Sequence, residues 1–190
     1  GRDDAAHGRA DLRAVGVSGV GSSCGVGVPR TRLAAMVVGG GGGERLGGVS
    51  KPDLVFGGVR LVDRVCCALG EVAGAGVVAI VPPSVRVPTG VTRAFEDPPG
   101  GGPLAGIDAG LAALSVGADC WVIVVSVDCP GIADILSCLL AEPLGIACDG
   151  RILRGGGPEP FDQYLMGVYR AGALRRAIDE AVARHGSVRG

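Results

Sequence analysis

The sequence predicts an α/β domain in three layers, with a mostly parallel β-sheet covered by helices on both faces. Three observations lead to this fold class. Short apolar runs alternate with helix-length segments from residue 33 onward, and the run WVIVVSVD is apolar on both faces until its carboxyl end, as in buried parallel strands. The length of 190 residues suits one domain with one core. Because ligands gather outside the carboxyl ends of the strands in such sheets, we expect a functional site in the loops that follow them.

The individual elements are predicted from hydrophobic periodicity and from Gly and Pro signals. Strands are predicted at residues 33–38, 76–81, 91–97, 121–128, 144–148 and 163–170. Helices are predicted at residues 60–72, 103–116, 132–142 and 171–186, and a turn at residues 149–150. The second helix begins with Pro103 and has Gly117 after its end, which is the usual asymmetry of helix termini. Residues 1–32 have no helical or strand period, so we expect a flexible N-terminal tail followed by one domain over residues 33–190.

Composition and charge exclude several classes of function. The formal net charge of −1 and the pI of about 6.1 provide no general basic field for nucleic acid or an anionic membrane. No window reaches eighteen uncharged apolar residues, so neither a membrane span nor a signal peptide is expected. The seven cysteines are an odd number without a CxxC motif, which favours small buried side chains in a reducing compartment such as the cytoplasm.

A glycine-rich loop, GGGGGERLGGVSK, directly follows the first predicted strand. Glycines can adopt positive φ, and their bare amides can form a concave nest for phosphate. Arg45 and Lys51, which is the only lysine of the chain, would add positive charge. The loop fits neither GxGxxG nor GxxxxGK[ST], so a dinucleotide oxidoreductase and a P-loop hydrolase are not supported. A flexible polyglycine turn remains the alternative interpretation.

Two carboxylates and a second glycine turn are expected at the same edge of the sheet. Asp97 and Asp128 each end a predicted strand, and a carboxylate there can bind Mg²⁺ together with water and phosphate oxygen. Asp128 interrupts a very apolar run, so a metal or a hydrogen-bond donor should accompany it; the alternative is an N-cap for the helix at Ile132. In GGGPLAG, glycine amides could approach a flat base and Pro103 opens a helix, although an ordinary Gly/Pro turn would look the same.

Taken together, three stretches resemble the signatures of the nucleotidyltransferase family that includes molybdenum cofactor guanylyltransferase. VVGGGGGERLGGVSK is similar to the opening pattern LAGGxxxRMGxxxK, with Arg45 and Lys51 on its arginine and its lysine. DPPGGGPLAGIDAGL contains the segment GPLAG, and VIVVSVDCPGI resembles the metal segment xxDxP with Asp128 as its acid. The late strand DQYLMGVYR is similar to one common among bacterial relatives, so the resemblance covers about residues 33–183.

The resemblance implies a Rossmann-like nucleotidyltransferase domain that transfers GMP from GTP to molybdopterin and releases pyrophosphate, with Mg²⁺ as cofactor. It implies Arg45, Lys51 and Asp128 as catalytic residues and Asp128 as the metal ligand. The residues that it implies for nucleotide binding are Val38, Gly39, Gly40, Gly41, Lys51, Asp97, Gly102, Pro103 and Asp128.

Two departures from the family pattern leave alternatives open. Gly39 stands at the alanine of LAGG, which we expect to loosen the loop, and a closing DTPxDL-like segment is not found before the sequence ends at HGSVRG. We therefore keep two alternatives to the guanylyltransferase. One is a relative that uses CTP or a sugar or polyol phosphate acceptor, and the other is a nucleotide-binding relative without catalysis. The sequence also leaves open whether the protein forms a homo-oligomer.

Overall fold

The computed structural model describes residues 13–17, 28–39, 50–96, 101–144, 148–155 and 161–186. Its main feature is a seven-stranded sheet in the order β1-β8-β9-β7-β2-β5-β6. The strands of this sheet are β1 (Arg13–Val17), β2 (Leu33–Val38), β5 (Val77–Ile80), β6 (Thr92–Ala94), β7 (Trp121–Ser126), β8 (Gly150–Arg154) and β9 (Asp162–Arg170). A separate hairpin consists of β3 (Val55–Phe56) and β4 (Val59–Arg60).

Most strands of the large sheet point in one direction. Strands β7, β2, β5 and β6 are mutually parallel neighbours. Strand β9 runs antiparallel to both β7 and β8, so β8 points the same way as the parallel group, while β1 runs antiparallel to β8. The predicted mostly parallel sheet is therefore confirmed, and the carboxyl ends of β2, β5, β6, β7 and β8 share one edge.

Helices cover both faces of the sheet and complete the three predicted layers. Helices α1 (Leu61–Val72) and α3 (Ile132–Leu139) pack on one face, around a core that includes Leu69, Ile123 and Leu139. Helices α2 (Gly102–Leu114) and α4 (Ala171–Gly186) pack on the other, around Met36 and Ile80. Every residue of β2 is buried, as expected for a central strand covered on both sides. None of the described helices combines the length and apolar character that a membrane crossing requires.

Close packing explains two glycines of α2. A Cβ on Gly106 would lie 3.1 Å from Ile80 Cγ2, and one on Gly110 would lie 2.8 Å from Ile80 Cδ1. Because these glycines have no side chain, the helix can approach β5 closely. The last glycine of GPLAG is therefore explained by helix–sheet packing.

The strand predicted at residues 144–148 falls mostly on residues that the structure does not describe. Residues 145–147 lie outside the described part, and Leu144 and Cys148 belong to no strand. Strand β8, which was not predicted, begins at Gly150, so the turn predicted at residues 149–150 is wrong at its second residue. Strand β8 was missed because its apolar run has only Ile152 and Leu153 between two arginines. Helix α2 also ends earlier than predicted, at Leu114, with Ser115 at a φ of 52°.

Strand β1 lies within the segment predicted as a tail. Arg13–Val17 pair with β8 over the register Arg13↔Arg154 to Val17↔Gly150. Only five residues long, the stretch RAVGV carries too little periodicity to be recognised alone. The boundary at residue 33 and the extent of the domain remain predictions.

Candidate active site

Two of the three predicted catalytic residues, Lys51 and Asp128, lie together at the carboxyl edge of the sheet. The Lys51 Nζ atom is 3.5 Å from Asp128 Oδ2. The two side chains are 50% and 49% exposed, so a bound ligand could reach both. Val38 and Ser126, the last residues of β2 and β7, are register partners. The loops after two adjacent parallel strands therefore supply a cation and an anion to one place.

A short 3-10 turn, Lys51–Asp53, fixes the backbone of Lys51. Its Pro52 is buried, and the amide of Asp53 donates to the carbonyl of Ser50 at 2.9 Å. The Ser50 hydroxyl donates to Asp53 Oδ2 at 2.6 Å, and Arg60 Nη1 donates to Asp53 Oδ1 at 2.8 Å. Arg60 also forms two hydrogen bonds with Asp63 in α1. A network that reaches the first helix thus anchors the turn that presents Lys51.

The last residue of β7, Ser126, holds the carboxylate of Asp128. The Ser126 hydroxyl donates a short hydrogen bond to Asp128 Oδ1. This bond lowers the pKa of Asp128 below its ordinary value; partial burial opposes the shift, and the positive charge of Lys51 adds to it. The carboxylate therefore stays ionised at neutral pH without being fully enclosed.

Gly39, which follows β2, is required by close packing. Its amide donates to the carbonyl of Ile80 at 2.9 Å. A Cβ on Gly39 would lie 2.9 Å from Val81 Cγ1 and 3.0 Å from Pro52 Cγ. At this residue the glycine is therefore explained by packing against Val81 and the Lys51 turn; the looser loop expected from the sequence stays a prediction.

Helix α2 follows β6 in the chain, and its first residues lie near the same carboxyl edge of the sheet. Gly102 has a φ of +78°, a conformation that favours glycine, and Pro103 follows within the first turn. Glu96, two residues beyond β6, is buried, and its Oε2 atom lies 3.7 Å from where a Cβ of Gly106 would be. The structure therefore places an acidic side chain beside the GPLAG segment, one residue before the predicted Asp97.

The remaining predicted site residues lie outside the described part of the chain. These are Gly40, Gly41, Arg45 and Asp97. Four other predicted nucleotide-binding residues are described. Val38 ends β2, and Gly39 follows it and packs against Pro52 of the Lys51 turn. Gly102 and Pro103 lie at the start of α2. Over the described ranges, no three His, Cys, Asp or Glu side chains form a group that could hold a metal ion.

With this geometry established, comparison with known proteins identifies the family. The profile of the MobA-like NTP transferase domain matches residues 35–187. The chain belongs to this family. The suspected relationship is therefore confirmed, together with the broad class of nucleotidyltransferase. Among curated proteins, none matches the sequence significantly.

Two solved structures have a similar fold. The chain is similar to 2-C-methyl-D-erythritol 4-phosphate cytidylyltransferase from Thermus thermophilus, with a TM-score of 0.53 and 18% identity over 80% of this chain and 77% of that one. The same enzyme from Francisella tularensis has a TM-score of 0.53 and 11% identity over 83% and 81% of the two chains. At these identities the similarity concerns the fold.

Sequence analysis of this MobA-like NTP transferase domain missed the residues that support the pair. Ser126 could have been found, because residues i and i+2 of a strand face the same side and Ser126 precedes Asp128 by that spacing. Asp53 and Arg60 carry no comparable signal. Their contact joins a turn to the residue before a helix, and only the folded chain brings them together.

Proposed function

We propose that this domain transfers GMP from GTP to molybdopterin and releases pyrophosphate. The observation that carries the proposal is the half-exposed Lys51–Asp128 pair, 3.5 Å apart at the carboxyl edge of a nucleotidyltransferase fold. A lysine ammonium and a carboxylate in the loops that follow neighbouring strands suit a polyphosphate bound with a divalent cation. The choice of GTP and molybdopterin rests on the resemblance of the motifs to guanylyltransferases.

The nucleotide would bind across the β2–α2 side of the site. Lys51 neutralises charge on the triphosphate as a mobile point charge, and the glycine loop with Arg45 supplies amides and a guanidinium. Asp97 and the start of α2 at Gly102 hold the nucleoside. In this arrangement the network Ser50–Asp53–Arg60 anchors the turn that presents Lys51, so the backbone is in place before the substrate arrives while the ammonium stays mobile.

Asp128 fits the role of a magnesium ligand. Its oxygens are partly exposed, ionised at neutral pH and located where the phosphates would lie, and Mg²⁺ binds through one or two carboxylates together with water and phosphate oxygens. When bound, the metal supplies positive charge to the phosphate oxygens. Ser126 would keep Oδ1 of Asp128 oriented through its hydroxyl hydrogen bond.

The chemical step is an in-line displacement at the α-phosphorus of GTP. An oxygen of the acceptor's terminal phosphate forms a new bond to that phosphorus. The bond from the α-phosphorus to the oxygen that bridges to the β-phosphate breaks, and its electron pair leaves with pyrophosphate. The protein contributes position and charge neutralisation, in which Lys51 stabilises the negative charge that grows on the leaving group.

The proposal is tested by incubating the protein with molybdopterin, Mg²⁺ and each of GTP, CTP, ATP and UTP while pyrophosphate is measured. We expect release with GTP that Lys51→Ala reduces by about 100-fold. Arg32→Ala is the matched control, since Arg32 lies just before β2 at the opposite edge of the sheet. Pyrophosphate release that is equal in the wild type and in Lys51→Ala would contradict the proposal.

A second candidate uses CTP and another phosphate acceptor. It is favoured by the similarity of the fold to two cytidylyltransferases. Release of pyrophosphate with CTP and 2-C-methyl-D-erythritol 4-phosphate, and none with GTP and molybdopterin, would favour it. Saturable GTP binding without pyrophosphate from any acceptor would instead indicate a nucleotide-binding protein without catalysis.

A further inference from the structure

One guanidinium connects three segments of the chain beside the candidate site. Arg60 is the last residue of β4 and directly precedes α1. Its Nη1 group donates to Asp53 Oδ1 at 2.8 Å in the Lys51 turn, and its Nε and Nη2 groups donate to Asp63 in α1 at 2.8 and 2.7 Å. Nη2 also donates to the carbonyl of Arg86 at 3.0 Å, in the loop between β5 and β6. Arg60 therefore connects the Lys51 turn to a helix and to a second loop.

The turn and the second loop that Arg60 connects follow neighbouring strands of the sheet. The turn comes after β2 and the loop comes directly after β5, and these two strands pair in parallel. Their carboxyl ends therefore lie at the edge where ligands bind. The two segments also meet in space. Val81, the first residue after β5, and Pro52 of the turn lie 2.9 and 3.0 Å from where a Cβ of Gly39 would be.

The link from Arg60 to Lys51 runs through Asp53. One carboxylate oxygen of Asp53 accepts from Arg60, and the other accepts from the hydroxyl of Ser50 at 2.6 Å. Ser50 and Asp53 stand on either side of Lys51 in the chain, so this contact closes the turn around it. A fixed turn limits the space that the mobile ammonium can sample and keeps Asp128, 3.5 Å away, within its reach.

The guanidinium of Arg60 is occupied by protein atoms. Four of its five N–H groups donate to the partners described above. The side chain is only 20% exposed, compared with 50% for Lys51. Arg60 is therefore arranged to hold the site together, whereas Lys51 is arranged to meet a ligand.

A second arginine provides an internal comparison. Arg93, in β6, donates from Nη1 to the carbonyls of Pro83 and Val85 at 3.1 and 3.4 Å, in the same loop after β5. Over the described part of the chain, no hydrogen bond joins Arg93 to the Lys51 turn. A substitution of Arg93 should therefore loosen the loop and leave the turn in place.

We propose that Arg60 is a positioning residue for nucleotidyl transfer, which holds the Lys51 turn against the loop after β5. Arg60 acts through the ammonium of Lys51 and does not contact the substrate. The assignment rests on the proposed function and adds the residue on which the placement of the catalytic lysine depends. Small displacements of a catalytic group can cost a large factor in rate even when the substitution lies away from the reacting atoms.

The first test needs no substrate. Arg60→Lys keeps the positive charge but lacks the planar fork that reaches three partners. In the full chain, hydrogen exchange at the amides of Asp53 and Leu54, which donate within the Lys51 turn, should become about tenfold faster. Arg93→Lys is the matched control and should leave the exchange of these amides unchanged. Unchanged exchange in Arg60→Lys would overturn the proposal.

The second test asks whether Arg60 acts through Lys51. With GTP, molybdopterin and Mg²⁺, kcat/KM for pyrophosphate release should fall by about tenfold in Arg60→Lys. In the Lys51→Ala background, the same substitution should change kcat/KM by less than about twofold, because the group that Arg60 positions is already lost. Arg93→Lys should stay within about twofold of its parent in both backgrounds.

The outcomes separate positioning from stability. Faster exchange in the turn, with a loss of activity that depends on Lys51, supports the assignment. An equal loss of activity in both backgrounds means that Arg60 only stabilises the fold, and the assignment is then wrong. A wild-type protein that releases no pyrophosphate with any acceptor contradicts the proposed function, and the catalytic role of Arg60 with it, whatever the exchange of the turn.

Discussion

The ammonium of Lys51 lies 3.5 Å from the carboxylate of Asp128, although 77 residues separate them in the sequence. Strands β2 and β7 pair in parallel register, from Leu33↔Trp121 to Val38↔Ser126, and this pairing brings their following loops to one edge. A pair with both partners half exposed contributes little to stability. Its position at the edge where ligands bind therefore points to function.

Lys51→Ala should separate function from stability. Loss of the ammonium removes charge neutralisation from the triphosphate, and we expect kcat/KM for pyrophosphate release to fall by about 100-fold. The free energy of unfolding should change by less than about 1 kcal/mol, because the ion pair is exposed to solvent. Steady-state kinetics and urea denaturation of the same preparation check both values. A large loss of stability would mean that Lys51 mainly holds the fold.

Ser126→Ala should raise the pKa of Asp128. The Ser126 hydrogen bond is the largest cause of the lowered pKa, followed among the lowering causes by the charge of Lys51. Carboxyl carbon NMR should therefore show a rise in the pKa of Asp128 in Ser126→Ala, and Lys51→Ala should raise it as well because the positive charge is lost.

The lowered pKa of Asp128 also determines how its contribution to stability depends on pH. Because the pKa of Asp128 in the folded protein lies below its ordinary value of 3.8, its contribution to stability is present above pH 3.8 and is lost as the pH falls through the folded pKa. In Ser126→Ala this acid-sensitive contribution should shrink. An unchanged pKa in Ser126→Ala would show that the hydroxyl does not hold the carboxylate in solution.

Gly110→Ala tests the close approach of α2 to the sheet. The new Cβ would lie 2.8 Å from Ile80 Cδ1 and 3.3 Å from Met36 Sδ, so the overpacking should outweigh the gain in helix propensity and cost about 1–2 kcal/mol. Gly70→Ala is the matched control in α1, since a Cβ there meets no atom within 4 Å. It should stabilise the protein by up to about 1 kcal/mol. Ile80→Val removes the clashing methyl group and should recover part of the loss in Gly110→Ala, whereas equal effects of the two glycine substitutions would contradict this packing.

Arg151→Met tests a buried cap at the end of α3. The guanidinium is buried and donates to the carbonyls of Leu139 and Glu142 at 2.8 and 2.9 Å, and to that of Pro143 at 3.3 Å. Loss of these bonds leaves carbonyl groups without donors and should cost about 3 kcal/mol. Arg176→Met, at a side chain that is 67% exposed, should change the unfolding free energy by less than about 0.5 kcal/mol. Similar denaturation midpoints for the two variants would refute the cap.

The central strands and all four helices could be predicted because their patterns are local. The apolar runs of β2 and β7 and the periodicity of α1 and α4 specify their elements within a few residues of the observed bounds. Strands β1 and β8 could not be predicted from sequence in this way. They are short, rich in arginine and glycine, and pair with each other over five residues, so their structure depends on distant partners.

The candidate site could be predicted in part for the same reason. Lys51 and Asp128 were recognisable from a solitary lysine beside a glycine loop and from an acid at the end of an apolar strand. The contact of Arg60 with Asp53 and that with the carbonyl of Arg86 depend on tertiary structure and have no local pattern. The roles assigned to Arg45 and Asp97 stay predictions.

The central claim is that Lys51 and Asp128 bind a triphosphate, Lys51 directly and Asp128 through Mg²⁺. Titration of Asp128→Asn with GTP, in the presence and in the absence of Mg²⁺, tests it most directly. With Mg²⁺ the variant should bind GTP about tenfold or more weakly than the wild type, because a metal ligand is lost. Without Mg²⁺ it should bind at least as well, because a negative charge near the phosphates is removed. The same GTP affinity as the wild type in both conditions would contradict the account.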